Sequence, residues 1–130
     1  MTREYYEINE DAARQAKAMW SHSDYVMGSK TEEYKKAVDE AYDLVDKIKD
    51  QRPKQAEKAE NIARRYAKKL ADNYNKGFRI ELMCPSILIS GAGNFPVKKK
   101  EKQNEARDRN LKEYNQILGY IDKIFYTAMK

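Results

Sequence analysis

Residues that carry much enzyme chemistry and most covalent cross-links are scarce in this sequence of 130 residues. There is one cysteine, Cys84, and one histidine, His22, with three prolines and five glycines. A lone cysteine cannot form an internal disulfide, and neither residue has partners at the spacing of a metal site or a catalytic triad. The sequence therefore predicts a protein of the reducing cytoplasm that is not an enzyme and uses no metal or other cofactor.

Long apolar runs are also missing. Charged residues make up 36% of the chain, and the mean hydropathy is -1.00. No stretch approaches the roughly 18 apolar residues of a membrane-spanning helix. The first ten residues carry charges and no apolar run, which argues against a cleaved secretion signal. We therefore expect no contact with a membrane.

The large aliphatic residues are few, but tyrosine and alanine are common. Leu, Ile, Val and Phe together number 22, a level that is frequent in disordered chains. Ten tyrosines and fourteen alanines offset this shortage, and many of them recur at helical spacing. We therefore expect one domain over residues 1–130, mainly α, with a thin core rich in Tyr and Ala.

Capping signals and apolar periodicity predict a bundle of about four helices. The first runs from about Asn9, a good N-cap, to residue 20. The second begins at Ser29, which has capping-box spacing to Glu32, and ends before residue 53. The third opens at Pro53 and stops at Gly77, which we expect to be a left-handed C-cap. Helices two and three should form an antiparallel hairpin.

Residues 78–97 break the helical pattern. Their apolar clusters are too short for helices, and Pro85 separates them. We expect a short extended, β-like insert here, either a minimal hairpin or an ordered loop that plugs the core. A fourth helix should follow over residues 96–128.

The fourth helix changes character along its length. Its predicted core stripe is apolar in the second half and turns polar in the first, at Lys100, Asn104 and Arg107. Either this end projects past the bundle, or its polar groups meet a specific partner. Arg107 could pair with a carboxylate inside the fold or with a phosphate. The predicted stripe comprises Leu111, Tyr114, Leu118, Ile121, Phe125 and Ala128.

The positive charge is concentrated in the same helix. The net charge is +5, and the window from Lys98 to Lys112, with seven basic and three acidic residues, contributes +4 of it. Helical geometry puts Lys98, Lys102 and Arg109 on one side. The window fits contact with nucleic acid or a nucleoprotein, contact with a protein, or a merely solvated helix end.

A glycine loop precedes the basic helix. Gly91 and Gly93 flank Ala92, and Asn94 follows. Successive backbone N–H groups in such a loop can hold a phosphate beside a helix N-terminus, although a tight turn that reverses the chain explains the same residues. The loop lacks the third glycine of a dinucleotide site and the Gly-Lys-Ser/Thr ending of a P-loop. The candidate binding residues are Gly91, Gly93, Asn94, Lys98, Lys99, Lys100, Lys102, Asn104, Arg107 and Arg109.

Three segments together resemble a known family. They are residues 3–9 (REYYEIN), residues 83–86 (MCPS) and residues 90–104 (SGAGNFPVKKKEKQN). They resemble an accessory helical region of large polyvalent proteins, associated with methylase-like and helicase-like parts, in conjugative elements and phages of gut Firmicutes. The resemblance implies a mobile genetic element as the origin and a role in nucleic-acid transactions. It supplies no catalytic residues.

The resemblance also sharpens the expected function. Small free-standing proteins of such elements often inhibit host defence, which makes an anti-CRISPR role the sharpest form of the hypothesis. We therefore expect a non-enzymatic protein that binds nucleic acid or a host nucleoprotein such as a CRISPR-Cas effector. The alternative is a protein-protein interaction module, with exposed tyrosines that dock a partner and no nucleic-acid contact. The sequence leaves the oligomeric state open.

Overall fold

Four α-helices account for most of the chain. The computed structural model describes residues 2–86, 89, 91, 93 and 95–129. The helices are α1 (Glu10–Ala18), α2 (Ser29–Gln51), α3 (Ala56–Glu81) and α4 (Val97–Thr127), and a 3-10 turn (Pro53–Gln55) joins α2 to α3. No β-strand occurs among the described residues. The prediction of a mainly α bundle of about four helices is confirmed.

The helix α3 is the centre of the bundle and contacts the other three helices. The rings of Tyr34 and Tyr74 meet edge to face with centroids 6.1 Å apart, which sets the start of α2 beside the end of α3. Lys76 likewise pairs with Glu113 of α4 at 3.2 Å. Both α2 and α4 therefore run antiparallel to α3.

Tyrosine and alanine fill the core as expected. Tyr34 and Tyr42 are completely buried in α2, and Ala59, Ala63 and Ala67 form the facing stripe of α3. Burial raises the pKa of Tyr34 to about 12, so its hydroxyl stays protonated and donates to the Ala67 backbone oxygen at 2.6 Å. Small side chains on α3 let the bulky rings of α2 approach closely.

The N-terminal strap, residues 2–9, crosses the outside of α2 and α3 without regular structure. Its backbone bonds to core side chains: the Glu4 amide donates to the Tyr42 hydroxyl, and the Tyr6 amide donates to the Tyr34 hydroxyl. Asn75 of α3 accepts from the Asn9 amide through Oδ1 and donates to the Glu7 oxygen through Nδ2. The buried tyrosine hydroxyls thus satisfy both the core and the strap.

Arg3 anchors the strap electrostatically. Its guanidinium lies within 3.1 Å of carboxylate oxygens of Asp39, Asp43 and Asp46, three aspartates on one face of α2. These hydrogen bonds, that of Asp43 first, raise the pKa of Arg3 above its ordinary value. The acidic pairs of α2 are therefore partnered within the fold.

The start of α2 differs from the prediction. Ser29 is the first helical residue and does not cap; the N-cap is Gly28, with a φ of 90°. The cap is supplied by Glu10 of α1, whose Oε2 accepts from the Thr31 amide at 3.0 Å and from the Thr31 hydroxyl at 2.6 Å. Its Oε1 accepts from the Gly28 amide. A carboxylate from another helix replaces the local capping box, and Asn9 caps α1 as predicted.

The end of α3 is a second correction. Gly77 was expected to stop the helix, but α3 continues to Glu81, and Gly77 has no left-handed backbone. The helix continues because Phe78 and Ile80 are buried in it, so core packing overrides the local stop signal. The first part of the predicted extended insert is therefore helical. Ile87 and Leu88, also assigned to it, lie outside the described residues.

The core face of α4 is rotated from the predicted stripe. Leu111, Leu118 and Phe125, expected inside, are 58%, 38% and 54% exposed. The buried positions are Gln103, Ile117, Ile124 and Thr127, with Tyr114 and Ile121 partly buried. Polar Gln103 marks the true inward face, which a search for apolar residues alone passes over.

Candidate nucleic-acid interface

The first half of α4 is held rigidly by Gln103. This side chain is completely buried, and its Nε2 donates to the backbone oxygens of Ile80, Glu81 and Cys84 at 2.9, 3.1 and 3.0 Å. The last carbonyls of a helix lack partners within the helix. Gln103 therefore caps the end of α3, and one amide group fixes the start of α4 against it.

A second inward contact joins Arg107 to Glu81. The guanidinium donates from Nε to Oε1 at 2.7 Å and from Nη2 to Oε2 at 2.6 Å, a two-bond fork. Glu81 raises the pKa of Arg107 above its ordinary value. Of the two roles considered for Arg107, the carboxylate pair is the one the fold forms.

Two further residues of the predicted site take part in this inward set. Lys100 donates to Gln103 Oε1 at 2.6 Å, and its ammonium lies 5.8 Å from the centre of the Phe95 ring. Asn104 accepts from Arg107 Nη1 at 3.2 Å. Lys100, Asn104 and Arg107 thus fulfil the expectation that the polar part of the stripe meets a specific partner, and that partner is the end of α3.

The remaining cations of the site point away from the bundle. Lys98, Lys99, Lys102 and Arg109 are exposed, and none has an ion pair with another described residue. Lys98, Lys102 and Arg109 lie within about 40° of one another around α4, and Lys112 continues the line. We call these four residues the basic face. Glu105 lies among them, so the basic face has a local balance of +3 over about 21 Å of helix.

The glycine loop is only partly described. Gly91 has a φ of 83°, in the left-handed region that favours glycine. Gly91 and Gly93 are exposed, and a Cβ at either would meet no atom within 4 Å. Asn94, assigned to the site from the sequence, lies outside the described residues. Both the phosphate cradle and the tight turn remain predictions.

His22 and Cys84 are far from any catalytic arrangement of described residues. His22 is exposed between α1 and α2, and Cys84 is buried with its Sγ donating to the Pro85 oxygen at 3.4 Å. Within the described part of the chain, no three His, Cys, Asp or Glu side chains are grouped to hold a metal ion. Each described helix is too short or too polar to span a bilayer.

A groove was missed by the sequence analysis. It has a volume of about 740 Å³ and lies between α1 with its following loop and the α3–α4 pair. Trp20 and Val26 form one rim, and Leu111 forms the other. No local pattern marks this groove, since its two walls come from residues some 80 positions apart.

Comparisons of the chain with protein-family models, with curated proteins and with solved structures gave no match. The functional conclusion therefore depends on the geometry of the basic face and of the surfaces around it.

Proposed function

We propose that the protein binds nucleic acid, or a nucleoprotein such as a CRISPR-Cas effector, through the basic face of α4. The observation that carries the proposal is the division of the cations of α4 into two sets. Arg107 and Lys100 turn inward and fix the helix, whereas Lys98, Lys102, Arg109 and Lys112 are exposed and unpaired among the described residues. Their charge is left available for an anionic partner.

Rigidity favours this function. Long cationic side chains lose less freedom on binding when their helix is already fixed, and Gln103 fixes the start of α4 by three hydrogen bonds. The basic face follows one line of a straight helix, which suits a run of backbone phosphates better than a compact ligand. Glu105 within the face disfavours unselective coating of nucleic acid.

The biological setting follows from the same proposal. The resemblance of residues 83–86 and 90–104 to regions of mobile-element proteins supports an origin in such an element, and hence a counter-defence role as its sharpest form. A non-enzymatic blocker would occupy the guide or target channel of an effector through the basic face, because these channels bind a phosphate backbone.

The experiment is a salt titration of binding by the wild type and by the triple variant Lys98→Glu, Lys102→Glu, Arg109→Glu. Duplex DNA, single-stranded RNA and a guide-loaded effector are the three probes. Each phosphate contact with duplex DNA contributes a slope of about -0.9 in log K against log salt. We expect the variant to lose binding and the slope to flatten by roughly 2 to 3.

The matched control reverses the same charge elsewhere. Lys47, Lys54 and Lys58 are exposed at the opposite end of α3, about 35 Å away along that helix. The variant Lys47→Glu, Lys54→Glu, Lys58→Glu should keep most of the affinity. Equal losses in both variants would show that only net charge matters, and unchanged affinity in the first would reject the basic face as the site.

A second candidate function is contact with a protein partner alone, which the groove favours. Trp20, Val26 and Leu111 leave an apolar rim in water. If this rim is the site, Trp20→Ala should abolish capture of the effector while the triple reversal on α4 leaves it unchanged. The two functions therefore predict opposite results from the same pair of proteins.

A further inference from the structure

We infer that a second copy of this chain packs on the outer side of α4, so that two α4 helices pair antiparallel. The surface concerned is the outer row, which consists of Leu111, Leu118 and Phe125. These side chains are spaced seven residues apart and are exposed along one line of the helix. The partly buried Tyr114 and Ile121 lie beside the row, and together they repeat the a and d positions of a coiled coil.

The surroundings of the row are unlike the rest of the chain. From Tyr114 to Ile121 no residue is charged, although 36% of the whole sequence is. Asn115 and Gln116 are the exposed polar residues of this stretch. A solvated helix face in so charged a chain would be expected to carry Lys or Glu, so this face is suited to a contact.

Gly119 is the second observation. It lies inside α4, where glycine destabilises a helix relative to alanine. A Cβ at this position would meet no atom within 4 Å, and the backbone has no left-handed φ. Nothing described in the chain itself requires glycine here. A missing side chain beside Leu118 does allow another helix to approach the centre of the row closely.

The symmetry of the row selects another copy as the occupant. Leu111 and Phe125 each lie seven residues from Leu118, so a two-fold axis at Leu118 places every member of the row against a member of its partner. Leu118 then meets its own equivalent, and Leu111 meets Phe125. An isologous contact of this kind needs no second type of surface.

Charge selects the antiparallel orientation. Asp122 flanks the row on its solvent side, as do Asn115 and Lys112 nearer the N-terminus. Antiparallel pairing sets Asp122 of one copy towards Asn115 and Lys112 of the other, a donor and a cation. Parallel pairing would set the two copies of Asp122 side by side, which is repulsive.

The area sets the strength. From Leu111 to Met129 the helix is about 27 Å long and about 10 Å wide. This strip is smaller than the roughly 800 Å² per partner of a standard interface. The dimer should therefore exchange with monomer and form in proportion to concentration.

The test is sedimentation of the full chain across a concentration series, without nucleic acid. The wild type should shift from monomer to dimer, and Leu118→Asp should weaken dimerisation by at least about tenfold, as expected for the centre of an interface. Met27→Asp is the matched control, since Met27 is equally exposed and lies outside α4. A wild type that stays monomeric throughout, or equal weakening in both variants, overturns the inference.

Cross-linking tests the orientation and does not depend on the aspartate variant folding. Leu118→Cys should oxidise readily to a covalent dimer, because the two-fold axis brings position 118 to its own equivalent. Leu111→Cys should not, because its neighbour is Phe125. The native Cys84 is buried and should give no background. Equal cross-linking of both variants would reject antiparallel pairing. The result is independent of the basic face, because neither position belongs to it.

Discussion

Asn73 and Asn110 are paired across the contact between α3 and α4. The Nδ2 group of Asn73 lies 3.0 Å from both the backbone oxygen and Oδ1 of Asn110, and Asn110 Nδ2 donates back to the Asn73 oxygen at 3.4 Å. Asn73 is buried. Sliding α4 along α3 by one turn would leave this amide without partners, so the pair fixes the register of the two helices.

Gln103 should be the most sensitive polar residue of α4. Gln103→Met keeps the volume but removes the donor to three backbone oxygens at the end of α3, which should cost about 2 kcal/mol of unfolding free energy. Urea denaturation measures the loss. Gln116→Met is the control, because Gln116 is exposed on the same helix and should change stability by less than about 0.5 kcal/mol. Equal stability of the two variants would contradict the capping role.

Glu10 should make stability depend on acid pH. Burial raises the pKa of Glu10, but hydrogen bonds from Thr31, Tyr25 and Gly28 outweigh it, so the pKa is lowered overall. A carboxyl whose pKa is lower in the folded state stabilises the fold above its unfolded pKa and loses that contribution as pH falls through the folded pKa.

The variant Glu10→Gln should therefore be less stable than the wild type at neutral pH, by about 1 to 2 kcal/mol. The difference should shrink as pH falls below about 4.5, near the ordinary pKa of glutamate. Thermal melts from neutral to acid pH follow it. A constant difference over that range would show that the Glu10 charge is not what caps α2.

Two glycines in helices should respond oppositely to alanine. At Gly119 a Cβ meets nothing within 4 Å, whereas at Gly77 it comes within 3.2 Å of Asn110 Nδ2. Gly119→Ala should stabilise the monomer by about 0.5 to 1 kcal/mol through helix propensity. Gly77→Ala should give no net gain, because it displaces the Asn73–Asn110 pair. Denaturation at low protein concentration distinguishes them, and equal gains would contradict the close approach at Gly77.

Local signals predicted the fold well where a helix is determined by its own sequence. Asn9 caps α1 as expected, and the apolar period of α2 places Tyr34, Val38 and Val45 in the core. The helix α4 begins and ends within a residue of the predicted bounds. In each case the deciding interactions lie within one or two turns of the residue concerned.

The errors came from interactions between distant residues. Gly77 is a reasonable stop signal, but the burial of Phe78 keeps α3 helical past it. The face of α4 was misassigned because Gln103 and Asn110, which are polar, are paired inside the fold, while apolar Leu118 is exposed. The basic face itself follows from helical geometry alone, but the inward use of Arg107 depends on Glu81, which is 26 positions away.

The N-terminal strap has a consequence for the order in which the molecule assembles. Its amides at Glu4, Tyr6 and Asn9 bond to side chains of Tyr42, Tyr34 and Asn75, a surface that exists only after α2 and α3 have packed. The strap should thus dock last and detach first, as a local opening that leaves the helical hairpin intact. Hydrogen exchange at these three amides would then be faster than in the middle of α3.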